Sequence, residues 1–386
     1  MDLNIFFDSV EEELVDKNQS PHCVSKSLTI NTYNIADIDG FDLALIGLTE
    51  GRGSAQSGDI EKASYFIRQK LYNLKKGSGS YRILDLGDLR NGMNLEDTHQ
   101  RLEEVCHYLI SKKIVPIIIG GTQDFAMAQY RSYEAFEKLI SLVNVDGFID
   151  MDDSDSLPLN ERYLYDVFTK EPNYLFNYIH LGYQTYLNDQ PTLETLESLY
   201  FDGMRLGQVK NDIKEMEPMV READLMVWDI SAIQKSFCPG SYKPQSFGLT
   251  GEEACQLAWY AGLNSKLSSH GIYEYFPEYD DDSFSTASVI ATMIWYFIEG
   301  YYNRKAEKGF GSTDYLRYEV SLDGNPSSII FYKSKMTEKW WMEVPFPKDY
   351  HKFAKNAIVP CSYTEYEVST KGEIPERWIE MQTKFS

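Results

Sequence analysis

Short, strongly apolar runs alternate with segments of helical periodicity along most of the chain, and this alternation constrains the fold more than any other feature. The runs are Ala44–Leu48, Ile83–Leu86, Ile114–Ile119, Leu142–Val145, Tyr178–Leu181 and Leu225–Trp228. Such runs are typical of strands buried on both faces, as in a parallel sheet covered by helices. The helical segments are Glu61–Leu74, Glu96–Ile114, Glu252–Lys266 and Thr286–Tyr302. Together they predict a doubly wound α/β fold, whose ligands bind at the carboxyl ends of the strands.

The charge balance excludes one large class of partners. Lys and Arg number 37 against 59 Asp and Glu, which gives a net charge of −22. A chain this acidic offers no basic face to nucleic acid or to an anionic membrane surface. Residues 305–386 hold equal numbers of basic and acidic residues, so the whole excess lies in residues 1–304. This division indicates two regions.

The cysteines and the apolar stretches predict the compartment. The five cysteines are scattered without a Cys-x-x-Cys pair, so neither a disulfide framework nor a structural zinc site is expected. The acidic N-terminal segment lacks the basic region of a secretory signal. The longest apolar stretch, Val289–Ile298, is too short to span a bilayer and predicts a buried helix. We therefore expect a cytoplasmic protein without membrane insertion.

Residues 305–386 differ in character from the rest of the chain. The alternating runs Tyr315–Leu322 and Ser328–Tyr332 flank an Asp-Gly turn signal at Asp323, which predicts a β-hairpin. Trp340-Trp341 and scattered prolines then predict irregular structure packed on the main domain. We divide the chain into an N-terminal extension (1–39), an α/β domain (40–304) and a C-terminal extension (305–386).

Acidic or Gly-Gly motifs follow several of the predicted strands. They are Asp85–Asp88, Gly120–Asp124, Asp146–Asp150 and Asp229–Ser231. A single Asp at such a place is usually a helix N-cap, which is the interpretation favoured for Asp88. Capping does not readily explain Asp at three strand ends at once. The carboxyl ends of parallel strands converge on one crevice, so these Asp residues indicate a shared site.

In order and spacing, these motifs resemble those of the ureohydrolases, the family of arginase, agmatinase and, most closely, formimidoylglutamase. The similar segments lie between Ala44 and Tyr302 and include Pro116–Asp124, Asn144–Asp150, Leu181–Gln184, Val227–Gly240 and Tyr273–Pro277. The resemblance implies a three-layer α/β/α arginase-type fold with a mostly parallel central sheet, to which the C-terminal extension is added. It also implies hydrolysis of linear C–N bonds at two manganese ions.

The metal ligands that the resemblance implies are only partly present. The ligands of one ion would be Gln123, in place of a family His, with Asp146, Asp150 and Asp229. The other ion would share two of these Asp residues, but Phe148 and Ser231 stand where the family has its own His and Asp ligands. Four oxygen donors suit a hard cation such as Mg²⁺, Mn²⁺ or Ca²⁺. We expect one such cation or none, and no dinuclear manganese.

The remaining carboxylates need compensation if they lie close together. Like charges a few ångströms apart raise pKa values and destabilise the fold. The sequence leaves three arrangements equally open: a retained cation, a basic side chain or proton in its place, and a wide, solvated cluster. The solvated cluster would extend into Asp152, Asp153 and Asp155.

The altered ligand set gives three hypotheses of function. With one cation, the activation of water that the family needs is weakened, and no Ser-His pair or other base is apparent. The first hypothesis is therefore a catalytically impaired ureohydrolase-like protein, a pseudoenzyme that binds a protein partner or a small ligand. It assigns no catalytic residue, and Glu274, which matches the family's substrate-facing Glu, is vestigial.

The alternative is a metal-dependent hydrolase of linear formimino, guanidino or amide C–N bonds, which uses one cation or a rearranged site. A third hypothesis is a metal-dependent structural or assembly subunit with the C-terminal extension at an interface. The resemblance also suggests a homo-oligomer.

Overall fold

A ten-stranded sheet forms the centre of the molecule. The computed structural model describes residues 1–15, 20–35, 37–56, 58–154, 156–305, 309–310, 312–345 and 358–385. The strands of the sheet are β1 (Phe7–Asp8), β2 (Leu28–Ile30), β3 (Leu43–Leu48), β4 (Ile83–Leu89), β5 (Val115–Ile119), β6 (Ile140–Val145), β7 (Leu175–Tyr183), β8 (Asp202–Arg205), β9 (Leu225–Asp229) and β10 (Ser269–Tyr273). The six apolar runs are thus all strands, as predicted.

The strands follow the order β1-β4-β3-β5-β10-β9-β6-β7-β8, and β2 pairs with β4. Among these pairings only that of β1 with β4 is antiparallel. The short strands β1 and β2 come from the N-terminal extension, which therefore adds to one edge of the sheet. The carboxyl ends of β5, β10, β9 and β6 consequently lie side by side, and the site is built there.

Helices cover both faces of the sheet. They are α1 (Ala63–Asn73), α2 (Leu95–Ser111), α3 (Phe125–Arg131), α4 (Tyr163–Thr169), α5 (Gln190–Ser198), α6 (Leu206–Asn211), α7 (Glu217–Glu222), α8 (Gly251–Leu263) and α9 (Ser285–Tyr302). Within β3, Leu43 and Leu45 pack into the core layer of α1, α8 and α9. Ala44 and Ile46 pack into the layer of α2, α3 and α4. Alternate strand residues thus face opposite helical layers, which confirms the three-layer α/β/α fold.

Sequence signals at the helix ends fit this architecture. The side chain of Asn94 accepts from the backbone N–H of Asp97 at the start of α2, and Thr250 does the same with Glu253 at the start of α8. Both are capping boxes. The apolar stretch Val289–Ile298 lies inside α9, where it is largely buried, as predicted. Across the described ranges, no helix is long and apolar enough to cross a membrane.

The C-terminal extension forms a second, antiparallel sheet of four strands. Its elements are β11 (Tyr315–Ser321), β12 (Ser328–Ser334), β13 (Trp340–Glu343), β14 (Ile358–Cys361), α10 (Tyr363–Thr370) and α11 (Glu376–Lys384). The predicted hairpin is confirmed, because Ser321 pairs with Ser328. The prediction of irregular structure at Trp340-Trp341 is wrong. Both residues lie in β13, pair with β14 and are buried. Trp340 packs into the core of the extension, and Trp341 packs against the Arg221 guanidinium.

Polar contacts attach this extension to the main domain. The Arg221 guanidinium at the end of α7 donates to the backbone oxygens of Trp340 and Cys361, at 3.0 and 3.2 Å. The Lys384 ammonium of α11 lies 3.2 Å from the Asp202 carboxylate of β8. Phe176 of β7 packs against the apolar core of the extension. The second sheet is therefore held against α7 and the β7–β8 edge.

Candidate metal centre

Three carboxylates lie together at the carboxyl ends of β6 and β9. Val145 pairs with Trp228 in parallel register, so Asp146 and Asp229, the next residues of the two segments, come side by side. One oxygen of each, and one of Asp150, lie within 4.8 Å of one another. All three residues are buried, which excludes the wide, solvated cluster. Of its proposed continuation, Asp152 and Asp153 are exposed, and Asp155 lies outside the described residues.

Hydrogen bonds satisfy only part of this cluster. The backbone N–H of Phe148 donates to Oδ1 of Asp146 at 2.9 Å. Ser231 donates its backbone N–H to Oδ1 of Asp229 at 2.6 Å and its hydroxyl to Oδ1 of Asp146 at 3.3 Å. Oδ2 of Asp146 is buried without a hydrogen-bond partner. A buried carboxylate oxygen without a donor is costly unless a cation or a proton compensates it.

The pKa values of the cluster reflect this shortage of positive charge. Burial, and then the charges of Asp229 and Asp150, raise the pKa of Asp146 well above its usual range. Burial raises the pKa of Asp150 to about 7 and that of Asp229 to about 6, although the nearby Lys243 ammonium opposes both shifts. Without a further cation, the cluster therefore retains protons near neutral pH.

Gln123 brings a fourth oxygen to the same edge of the sheet. It follows Gly120 and Gly121, which have positive φ angles of 82° and 75°. A Cβ atom at Gly120 would lie 2.9 Å from the backbone oxygen of Leu48, so the turn into the site requires glycine there. Nε2 of Gln123 lies 3.1 Å from Asn144 Oδ1, and its Oε1 is buried without a hydrogen-bond partner.

The oxygens of the three carboxylates and of Gln123 are suited to a divalent cation. Three carboxylates and one amide oxygen match the preference of Mn²⁺, Mg²⁺ and Ca²⁺ for hard ligands. The unpartnered Oδ2 of Asp146 and Oε1 of Gln123 are the atoms that a cation would satisfy. The three carboxylates therefore fit one ion by their spacing, and Gln123 fits it by the chemistry of its free oxygen.

The residues do not fit a second ion in the same way. Phe148 is partly exposed and offers only a ring, and the Ser231 hydroxyl already donates to Asp146. The Lys243 ammonium lies 5.2 Å from the centre of the Phe148 ring. It is held by Oε1 of Glu161 at 2.8 Å. A basic side chain thus lies beside the position where the resemblance places the second ion.

No sequence pattern singles out Lys243. It lies in the long loop between β9 and α8, where no periodicity places a residue relative to the sheet. A weak signal was available, because the segments of resemblance flank this loop on both sides.

Glu274 completes the site. It follows β10 directly and has a positive φ of 66°. Its Oε1 accepts from the backbone N–H of Gln123 at 2.7 Å and from Nδ2 of Asn160 at 3.2 Å, while Oε2 is buried without a partner. Burial, and then the charge of Asp229, raise the pKa of Glu274 well above its usual range. Glu274 therefore presents one unused oxygen near the cluster.

Two acid-containing pairs differ from the sequence interpretation. Asp88 does not cap a helix, because α2 begins at Leu95 after Asn94. Instead its carboxylate accepts from the Arg68 guanidinium at 2.5 Å. No sequence pattern marks His99, a buried histidine whose Nε2 lies 2.6 Å from Oδ2 of Asp124. Its partner is the residue next to Gln123, so a buried His–Asp pair adjoins the candidate ligands.

His180 is a structural residue rather than a ligand. Its Nδ1 lies 2.7 Å from the Tyr178 hydroxyl, and its Nε2 lies 3.0 Å from the backbone oxygen of Asp146. Burial lowers the pKa of His180 to about 4. The neutral imidazole therefore helps to position the backbone at Asp146.

Two formimidoylglutamases are similar to this chain in sequence. A formimidoylglutamase of Staphylococcus haemolyticus is 25% identical over 280 residues, which cover 69% of this chain and 88% of the relative. A formimidoylglutamase of Streptococcus gordonii is 24% identical, with coverage of 72% and 89%.

Solved structures show the same fold. A Trypanosoma cruzi formiminoglutamase, in a crystal structure with Mn²⁺, matches with a TM-score of 0.65 and 19% identity, over 70% of this chain and 97% of that chain. A Bacillus subtilis formimidoylglutamase matches with a TM-score of 0.62 and 20% identity, over 69% and 89%. The Arginase family model matches residues 41–299, well over half of the chain. The chain therefore belongs to the arginase family.

Proposed function

We propose that this chain is a metal-dependent hydrolase of the ureohydrolase type, which cleaves a linear C–N bond in a formimino, guanidino or amide substrate. The observation that carries the proposal is the buried cluster of Asp146, Asp150 and Asp229 beside Gln123, with two oxygens that no protein group satisfies. The curated relatives are named formimidoylglutamases, so formimino compounds are the first substrate class to test. Manganese is the first cofactor to test, since the T. cruzi relative was crystallised with it.

Each part of the site has a role in this proposal. The three carboxylates and Gln123 would hold the cation, which supplies Lewis-acid polarisation and lowers the pKa of water. Glu274 would orient the substrate, because its Oε2 has no hydrogen-bond partner and would accept from a formimino or guanidino N–H. The donors Gln123 and Asn160 fix the other oxygen of Glu274, so the carboxyl group is held in place before substrate binds.

A second candidate function is binding without catalysis, as in a pseudoenzyme. Phe148 and Ser231 favour it, because they remove both ligands that a second ion would not share with the first. The names of the relatives favour the hydrolase. The prediction that dinuclear manganese is absent remains a prediction.

Metal-loaded protein tests the two candidates. The chain is stripped of metal, reloaded with Mn²⁺, Mg²⁺ or Ca²⁺, and incubated with formiminoglutamate, agmatine, arginine and a simple amide. We expect metal-dependent release of ammonia, formamide or urea from at least one compound. Asp229→Asn should abolish this release. Asp152→Asn, an exposed change near the site, is the matched control. Ligand binding to loaded protein without any product would support the second candidate and overturn the first.

A further inference from the structure

Lys243 lies against Phe148, one of the two positions at which the resemblance places ligands of a second ion. Its ammonium lies 2.8 Å from Oε1 of Glu161, and the Tyr242 hydroxyl donates to the same oxygen at 2.6 Å. It also lies 5.2 Å from the centres of both the Phe148 and the Tyr242 rings. An ammonium over aromatic faces is attracted by their negative electron density. The position of the charge is thus set by a carboxylate and two rings.

Phe148 connects the ammonium to the carboxylates. Its ring lies beneath the Lys243 ammonium, and its backbone N–H donates to Oδ1 of Asp146 at 2.9 Å. The positive charge therefore lies on the side of the cluster that carries Phe148.

Phe148, the residue beneath the ammonium, links Lys243 to the second metal position. Phe148 is the position at which the resemblance places an imidazole ligand of the second ion. Its ring cannot bind a metal, but it can seat an ammonium. At Phe148, therefore, a ligand of the second metal ion is missing and the Lys243 ammonium is present.

We propose that the Lys243 ammonium, seated on Phe148 and tethered by Glu161, takes the electrostatic place of a second metal ion, so that the site binds one divalent cation. The inference rests on the part of the proposed function that assigns a cation to Asp146, Asp150 and Asp229. It goes beyond that function because it assigns a role to the Lys243 ammonium and sets the metal content at one ion per chain.

Metal titration of charge variants tests the inference directly. Isothermal titration of the metal-free protein with Mn²⁺ should give one ion per chain for the wild type. Lys243→Met should bind Mn²⁺ about tenfold more tightly, because it removes repulsion between the ammonium and a divalent cation held by the carboxylates. Lys243→Arg keeps the charge and should stay near the wild-type affinity. Lys235→Met, in an exposed position of the same loop, is the matched control.

A second experiment restores the missing ligands. The double variant Phe148→His, Ser231→Asp should still bind one Mn²⁺ while Lys243 is present. Adding Lys243→Met should allow two, detected as magnetic coupling between adjacent Mn²⁺ ions in electron paramagnetic resonance. Circular dichroism and thermal melting confirm that each variant is folded. Where the triple variant does not fold, the single-site titrations decide.

Two results would overturn the inference. One is an unchanged or weaker Mn²⁺ affinity in folded Lys243→Met. The other is coupled Mn²⁺ pairs in the double variant, or in the wild type, with Lys243 present. These measurements do not use activity. If they come out as expected while no substrate is cleaved, the hydrolase proposal fails and the inference stands.

Discussion

Gln123 and Asn144 are joined by a side-chain hydrogen bond, Nε2 to Oδ1 at 3.1 Å, between the turn after β5 and the interior of β6. Asn144 lies near the end of β6, two residues before Asp146, which directly follows the strand. The strand that places the central carboxylate therefore also orients the Gln123 amide, and its oxygen is left without a hydrogen-bond partner. Two of the proposed ligands are thus positioned by one element.

Replacing Gln123 should weaken metal binding specifically. Gln123→Leu removes one oxygen donor, and we expect Mn²⁺ affinity to fall by at least about tenfold, the lower end of the losses seen when groups around a metal are altered. Equilibrium titration of the metal-free protein measures this. Gln129→Leu is the matched control, because Gln129 is also buried but bonds to Ser269 and Tyr273 instead. Equal Mn²⁺ affinities of the two variants would show that Gln123 is not a ligand.

The metal-free protein should lose stability as the pH rises through about 7. The folded-state pKa of Asp150, about 7, is raised by burial above that of an unfolded Asp. The folded state therefore binds more protons, and this contribution is lost as the pH rises through about 7. We expect the urea midpoint of metal-free protein to fall between pH 6.5 and 8. Below pH 6.5 the neutral, buried His180, with its pKa of about 4, contributes in the opposite direction.

Two controls isolate the effect to the cluster. Asp150→Asn cannot ionise at this position and should show a smaller fall in stability between pH 6.5 and 8. Saturating Mn²⁺ should also reduce the fall, since a bound cation stabilises the charged form. A fall of the same size in Asp150→Asn would assign the pH dependence to other groups.

The sequence allowed the central sheet to be predicted because its strands are continuous apolar runs. It did not reveal β10, although that strand lies between β5 and β9. The strand contains Ser269, His270 and Gly271, which break the apolar run, and His270 is buried by stacking on Phe297 at 4.6 Å. Such a strand is specified by its neighbours rather than by its own composition.

The candidate site, like the sheet, could be predicted only in part from the sequence. Strand-end acids marked Asp146 and Asp229, because parallel strands end at one edge of the sheet. Lys243 reaches that edge from a loop, and its position depends on Glu161 and on the Phe148 ring. Contacts between residues so distant in sequence leave no periodic signal. The sequence therefore shows that the carboxylates need a compensating positive charge. It does not show that Lys243 lies beside them.

Removing Arg68 should destabilise the fold without affecting the metal site. The guanidinium is buried and donates from Nε and Nη2 to the Asp85 carboxylate, which also accepts from the Tyr72 hydroxyl at 2.7 Å. Arg68→Met leaves this buried carboxylate without its counter-charge, so we expect a loss of about 3–5 kcal/mol in the free energy of unfolding. Urea denaturation measures it. The double variant Arg68→Met, Asp85→Asn should recover part of the loss, whereas additive losses would argue against the ion pair as the cause.

The attachment of the C-terminal extension should depend on Lys384. Its ammonium at the end of α11 lies 2.7 Å from Oδ1 of Asn177 and 3.2 Å from Oδ2 of Asp202, and the Lys384 and Asp202 side chains are only 7% and 6% exposed. Lys384→Met leaves Asp202 buried without this partner, which we expect to cost about 3–5 kcal/mol. That cost falls on the contact between α11 and the sheet edge, so α11 should exchange its amide hydrogens faster while β9 keeps its protection. Hydrogen exchange with mass spectrometry resolves the two elements, and Lys371→Met, at an exposed position after α10, provides the comparison. Faster exchange spread equally over α11 and β9 would mean that Lys384 stabilises the whole chain and not this contact.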